Sequence, residues 1–174
     1  MKKIYFDSSV YTKVFANEEG SDTAKRIIKL AETTNDIQII MSVWTINEVI
    51  SAIDQKAYQT HEINEKESKQ AIATVLQRSI EYPRTGKSNI YFAPVEHEII
   101  KGSTVLIHSL HISADDALHV FTAFYHNCEY FICRDKELKR KTHKQISVTQ
   151  RNTYNPKMVV LDITNEEDMK LLLK

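Results

Sequence analysis

The chain has 174 residues, of which 42% are hydrophobic, 9% aromatic and 26% charged, the composition of one ordinary globular domain. Its 23 basic and 23 acidic residues cancel, so the net charge neither indicates nor excludes a nucleic-acid partner. The N-terminus has no secretion-signal pattern and no stretch approaches the length of a membrane span, so we expect a cytoplasmic protein with no membrane partner. Cys128 and Cys133 are too few for a disulfide framework, and we expect reduced thiols.

Short apolar strands alternate with longer helices. In chain order, the pattern predicts a strand at 4–6, a helix at 10–16, a helix at 23–32 with an apolar stripe and a strand at 37–41. Helices follow at 43–57 and at 64–80, the second beginning with the capping-box pair Asn64 and Glu67, then a loop at 82–89 and helices at 95–109 and from 113. The last elements are a strand at 130–133, a helix at 136–141, a strand at 158–161 and a helix capped by Thr164. This order favours a three-layer α/β/α fold with a central, mostly parallel sheet. We expect a single domain over 1–174, with a helical excursion at about 54–111.

Acidic residues stand almost alone in several apolar stretches. The only charged residues are Asp7 in 4–12, Glu48 in 37–53, and Asp115 and Asp116 in 112–127. Asp135 comes just after the predicted strand at 130–133. Lone carboxylates in apolar sequence are costly to bury unless something pairs with them.

The placement of these acids predicts that they converge. Asp7 and Asp135 each follow a predicted strand, Glu48 lies about two helical turns past another, and Asp116 lies in the first turn of a helix. Ligands of open parallel sheets bind outside the carboxyl ends of the strands. Converging carboxylates repel each other and need a compensating cation, and oxygen ligands suit Mg²⁺ or Mn²⁺. The chemistry so implied is hydrolysis of a phosphate ester.

Simpler roles for the same residues remain open. Ser113 and Asp116 form the pattern of a capping box, and Asp7 and Asp135 could each cap the helix that follows. Glu48, inside its helix, could be an exposed helical glutamate. The capping and metal-binding roles are compatible with each other.

Three stretches, taken together, resemble the PIN-domain family over nearly the whole chain. They are FDSSVYTKVFANEEGSDTAKRII, MSVWTINEVISAI and SADDALHVFTAFYHNCEYFICRDKEL. Asp-Ala-Leu-His followed by an apolar helix, a strand and Arg-Asp-Lys is the most specific match. A departure is Cys133, where the family often has Ser or Thr two residues before its fourth acid.

The resemblance implies a Mg²⁺- or Mn²⁺-dependent endoribonuclease of the VapC toxin type, with an RNA substrate, an antitoxin protein as partner and a homodimeric state. It implies that Asp7, Glu48, Asp116 and Asp135 are both the catalytic residues and the metal ligands. It also implies that Ser9 donates a hydrogen bond to a ligand or a neighbouring acid. A housekeeping RNA-processing nuclease and a non-catalytic RNA- or protein-binding module remain alternatives.

Further residues are expected to support the site. Asp115 is expected to be a helix-start charge, or at most an acid lying behind the metal ligands. His119 shares a helix face with Asp116 and could orient that carboxylate, although a satisfied, half-buried histidine is the favoured interpretation. Seven Lys and Arg residues against two acids lie between positions 134 and 151. They indicate either a solvated surface or an RNA-backbone contact through Arg134, Lys136, Lys139 and Arg140.

Overall fold

Strands and helices alternate along the chain in a computed structural model that describes residues 1–85, 89–148 and 158–173. Within these residues the strands are β1 (Lys2–Phe6), β2 (Ile37–Ser42), β3 (Ile90–Ala93), β4 (Tyr130–Cys133) and β5 (Val159–Asp162). The helices in the same residues are α1 (Ser8–Thr12), α2 (Ser21–Thr33), α3 (Trp44–Tyr58), α4 (Glu65–Thr85), α5 (His97–Leu110), α6 (Ala114–Tyr125), α7 (Lys136–Val148) and α8 (Glu166–Leu173).

The described strands form one parallel sheet in the order β3-β2-β1-β4-β5. Side chains alternate between its two faces, since Ile4 and Phe6 belong to one buried cluster and Tyr5 to the other. The first cluster includes residues of α1, α2, α3, α4 and α8, and the second includes residues of α5, α6 and α7. The predicted three-layer fold is therefore confirmed, with its core on both faces of the sheet.

Two local predictions in the segment 54–111 were wrong. Strand β3 lies inside the stretch expected to be helical, and it pairs with β2 at the edge of the sheet. Helix α4 continues through Pro83 to Thr85, where a loop was expected at 82–89; positions 86–88 of that loop lie outside the described residues. A hairpin of α3 and α4 thus leads into a strand, and the excursion adds a fifth strand to the sheet.

The helix-start signals are mostly as the sequence predicts. Asn64 and Glu67 exchange backbone-to-side-chain hydrogen bonds of 2.9 Å each, so the predicted capping box is present. The last helix is capped by Asn165, which accepts bonds from two backbone N–H groups, and the prediction of Thr164 was one residue off. Helix α7 extends to Val148, beyond the predicted end at 141.

Two further expectations concern membranes and disulfides. Among the described residues, none of the helices combines the length and apolar character needed to cross a bilayer. Cys128 and Cys133 are buried and form no disulfide, as expected.

Candidate active site

The predicted acids converge on one cavity. Asp7, Glu48, Asp116 and Asp135 line an open cavity of about 540 Å³. Asp7 follows β1 and Asp135 follows β4, and these strands are parallel neighbours, so their carboxyl ends lie side by side. Acids that are distant in sequence therefore share one site at the carboxyl edge of the sheet. Asp115 is exposed and is not among the lining residues.

Asp7 is both a lining residue and the N-cap of α1. Its Oδ2 accepts hydrogen bonds from the backbone N–H of Ser9 at 3.2 Å and from the Ser9 hydroxyl at 2.5 Å. Asp7 is 7% exposed, and its backbone N–H donates to the Ile132 carbonyl of β4. The predicted donor role of Ser9 is thus directed to a neighbouring acid.

Asp116 is held by Ser113, the N-cap of α6. The Ser113 hydroxyl accepts from the Asp116 N–H at 3.1 Å and donates to Asp116 Oδ2 at 2.7 Å. Burial raises the pKa of Asp116; the Ser113 hydrogen bond opposes this, and the charges of Asp7 and Asp135 add to it. The raised pKa reflects a carboxylate that is half removed from water and repelled by its neighbours.

Asp135 precedes α7 and accepts hydrogen bonds from its first turn. Its Oδ1 accepts from the N–H groups of Glu137 at 2.7 Å and Leu138 at 3.0 Å. Cys133, two residues earlier, donates from its thiol to the Asp135 carbonyl at 3.6 Å. The thiol therefore makes a local contact of the kind that a serine or threonine hydroxyl would make at this position.

Glu48 is tied to the core by a buried chain of hydrogen bonds. His119 Nε2 lies 2.6 Å from Glu48 Oε2, and His119 Nδ1 lies 2.7 Å from the Tyr5 hydroxyl. The hydroxyl oxygen of Tyr5 accepts the Ser42 N–H at 3.1 Å. His119 Nε2 is also 4.0 Å from Oδ1 of Asp7. The histidine is thus fully buried, and the carboxylate it contacts is Glu48, where the sequence had offered Asp116 as its partner.

The hydrogen-bonded residues Tyr5, His119 and Glu48 lie in negatively charged surroundings. Burial alone would lower the pKa of His119, but the Glu48 hydrogen bond and the charges of Asp7, Glu48 and Asp116 outweigh it, and the pKa is raised. Burial, with the Asp7 charge, raises the pKa of Tyr5 well above its usual value. Tyr5 therefore keeps its proton at neutral pH and can donate it to the imidazole.

In each of the four carboxylates, the two oxygens differ in their hydrogen bonding. One oxygen of each accepts the hydrogen bonds given above, and the other accepts none from the described part of the chain. As they stand, the described His, Cys, Asp and Glu side chains include no group of three or more arranged as a metal site. Mg²⁺ usually takes only one or two carboxylates, with water and phosphate completing its shell, so this oxygen-only donor set fits such a cation.

A sequence model of the PIN domain matches residues 4–144. The chain belongs to the PIN-domain family. No curated protein matches the sequence.

Three solved structures are similar to this chain. VapBC2 from Rickettsia felis, bound to a DNA fragment from their promoter, matches 92% of this PIN domain chain and 98% of its own at 12% identity and TM-score 0.58. Mycobacterium tuberculosis VapC20, described as a sarcin-ricin loop cleaving toxin, matches 79% and 93% at 11% identity and TM-score 0.56. A toxin-antitoxin complex from Klebsiella pneumoniae matches 76% and 86% at 16% identity and TM-score 0.47. At these identities the likeness concerns the fold.

The four basic residues predicted to bind RNA differ in position. Arg134 and Lys136 line the acidic cavity, and Arg134 also donates a hydrogen bond of 3.4 Å to Glu18. Lys139 is hydrogen-bonded to a carboxylate of α8, and Arg140 makes two hydrogen bonds of 2.7 and 2.6 Å to Glu137. RNA binding stays a prediction for all four, and the cavity position favours the first two.

Tyr5 is the contributor to this PIN domain site that sequence reasoning missed. It sits in the apolar strand β1 and is 0% exposed, so the sequence pattern identifies it only as a core residue. A tyrosine in a buried strand needs a partner for its hydroxyl, and that requirement was the available signal.

Proposed function

We propose that this protein is a divalent-metal-dependent endoribonuclease and the toxin of a toxin-antitoxin pair. The observation that carries the proposal is the convergence of Asp7, Glu48, Asp116 and Asp135 on one cavity, each with one oxygen held and the other directed to no protein donor among the described residues. Such an arrangement leaves a concentration of negative charge that a cation neutralises.

Asp7, Glu48, Asp116 and Asp135 would hold Mg²⁺ or Mn²⁺, directly or through the water molecules of the cation. The chemistry that a bound divalent cation supplies is a lowered pKa for the attacking water and positive charge opposite the phosphate. In the reaction, the water oxygen attacks phosphorus and gives up one proton to the surrounding solvent or carboxylates, the bond to the leaving ribose oxygen breaks, and that oxygen takes up one proton. Arg134 and Lys136 would hold the RNA backbone beside the acids.

The proposed substrate and partner draw on the structural relatives. VapC20 is a sarcin-ricin loop cleaving toxin, which supports RNA as the substrate class. VapBC2 is a pair bound to promoter DNA, which supports an antitoxin that binds the present chain. We also expect a homodimer, which light scattering of the purified protein will measure.

The test is RNA cleavage by the purified protein with and without Mg²⁺ or Mn²⁺. Asp7→Asn and Asp116→Asn should each abolish cleavage and leave the circular dichroism spectrum unchanged. Asp115→Asn is the matched control, because it removes a charge from the adjacent exposed position. Cleavage by both site variants in a clean preparation would refute the nuclease assignment.

A second experiment separates a toxin from a housekeeping nuclease. Expression of the wild-type chain should arrest growth, and Asp7→Asn should relieve the arrest. The product of a short adjacent reading frame, when co-expressed, should bind the chain and restore growth. Normal growth at high expression of an active nuclease would exclude the toxin role and leave the RNA-processing role.

A further inference from the structure

We propose that His119 and Tyr5 are positioning residues that fix the Glu48 carboxylate in the acidic cavity. The inference rests on the proposed function, and it concerns two side chains that the acidic quartet does not include. His119 lines the cavity although it is only 1% exposed, whereas Tyr5 is 0% exposed and is not among the lining residues. The hydrogen bond by which they act on the acids is the one from His119 to Glu48.

The geometry connects the sheet to the cavity in three contacts. The Ser42 N–H donates to the Tyr5 hydroxyl at 3.1 Å, that hydroxyl lies 2.7 Å from His119 Nδ1, and His119 Nε2 lies 2.6 Å from Glu48 Oε2. Glu48 is on α3, His119 on α6 and Tyr5 on β1. With Ser42 at the end of β2, these hydrogen bonds join four separate elements, and no other described residue donates a hydrogen bond to Glu48.

The distance between His119 and Glu48 shows which atom carries the shared proton. A carboxylate oxygen 2.6 Å from Nε2 requires a proton on that nitrogen, because two acceptors at this distance would repel. The Ser42 N–H occupies one lone pair of the Tyr5 oxygen, and the hydroxyl can still accept from Nδ1–H or donate to a bare Nδ1. In either form of the ring, Tyr5 provides the partner of Nδ1 and Nε2–H faces Glu48.

The consequence for Glu48 is a restricted side chain. Its carboxylate is about a quarter exposed, and an unrestrained glutamate on a helix surface would sample several rotamers. The Nε2–H holds Oε2, so Oε1 is the oxygen that remains for a cation or its water. His119 Nε2 also lies 4.0 Å from Asp7 Oδ1, which places the imidazole between two of the acids.

The test compares two substitutions of His119 whose side-chain amides place an N–H group at different positions. His119→Gln places an N–H donor near the position of Nε2 and keeps the bond to Glu48, whereas His119→Asn places one near Nδ1 and loses it. Mn²⁺ binding is measured by calorimetry on each protein without RNA, and cleavage is measured separately. Thr122→Val is the matched control, since Thr122 is buried in the same helix and its hydroxyl bonds only to the Leu118 carbonyl among the described residues.

We expect His119→Gln and Thr122→Val to bind Mn²⁺ nearly as wild type does and His119→Asn to bind about tenfold more weakly. Equal affinities for the Gln and Asn variants would overturn the positioning role. Asp116→Asn tells this failure apart from failure of the proposed function. If Asp116→Asn loses Mn²⁺ binding while the Gln and Asn variants of His119 bind equally, only the positioning role is overturned. If Asp116→Asn keeps both Mn²⁺ binding and cleavage, the proposed function is refuted.

A measurement on the unaltered protein covers the case in which a variant does not fold. Long-range ¹⁵N–¹H correlation of the His119 ring in the metal-free protein should show a proton on Nε2. Absence of that proton would overturn the proposal without any substitution. Its presence, together with a change of the ring signals in Tyr5→Phe, would support the assigned chain.

Discussion

Ser113 offers a way to separate the stability of the site from its chemistry. Its hydroxyl makes two hydrogen bonds with Asp116, one that caps α6 and one that holds the Asp116 carboxylate. Asn165 caps α8 with two hydrogen bonds of 3.0 and 3.1 Å, and it is not among the residues that line the acidic cavity. Each residue makes two hydrogen bonds: both bonds of Asn165 cap its helix, whereas one of the two bonds of Ser113 holds a carboxylate of the acidic cavity.

Ser113→Ala and Asn165→Ala should each lower the free energy of unfolding by about 1 kcal/mol, because each removes an N-cap. For a chain of this length, that loss corresponds to about 2–4 °C in the melting temperature. Ser113→Ala should also lower kcat/KM for RNA cleavage by about tenfold, because the Asp116 carboxylate loses its fixed donor. Asn165→Ala should leave kcat/KM unchanged.

Thermal melts followed by circular dichroism and cleavage of one RNA at saturating Mn²⁺ measure the two effects. Ser113→Thr should restore both, since threonine carries the same hydroxyl. The reasoning is refuted if the two alanine variants lose equal activity, or if Ser113→Ala loses stability and keeps full activity.

Three further predictions concern packing, pH and RNA. A Cβ at Gly102 would lie 2.0 Å from Cζ of Phe121, so Gly102→Ala should destabilise the fold by about 1–3 kcal/mol in urea unfolding, and Phe121→Leu should relieve part of that loss. Burial raises the pKa of Cys128 to about 12, so the folded chain keeps a proton that the unfolded chain loses from about pH 8.5. Stability should therefore fall as pH rises through this window, and Cys128→Ala should lessen the fall between about pH 8 and 10. Lys136→Ala should weaken RNA binding in fluorescence anisotropy and reduce its salt dependence, whereas Arg140→Ala should have a smaller effect on both, because Arg140 is already paired within α7.

The parts of the fold that the sequence predicts are those with strong local signals. The buried strand at 130–133 matched its observed bounds, and the apolar stripe of α2 is buried as its spacing indicates. Asn64 and Glu67 marked the start of α4 because a capping box depends on two residues three positions apart. These features are set by neighbours in sequence, and a single chain contains all the information they need.

The missed features depend on contacts between distant residues. β3 is four residues long and becomes a strand by pairing with β2, so nothing local distinguishes IYFA from a short apolar run. Pro83 favours a helix end on sequence grounds, yet α4 continues past it to Thr85. The contact of His119 with Glu48 spans 71 positions, and periodicity within α6 indicates only that the histidine lies near Asp116.

Capping and the proposed metal binding are compatible in this fold, and the geometry gives a reason why they coincide. Asp7 and Asp135 each accept backbone N–H groups at a helix start with one carboxylate oxygen, and the Asp116 carboxylate lies in the first turn of α6 with one oxygen held by the Ser113 hydroxyl. At a helix N-terminus, backbone N–H groups and the helix dipole favour negative charge. That local stabilisation offsets part of the repulsion between the acids before any cation binds. Glu48 lies inside α3 and has no helix start to stabilise it, so it is the acid for which a separate donor, His119, is required.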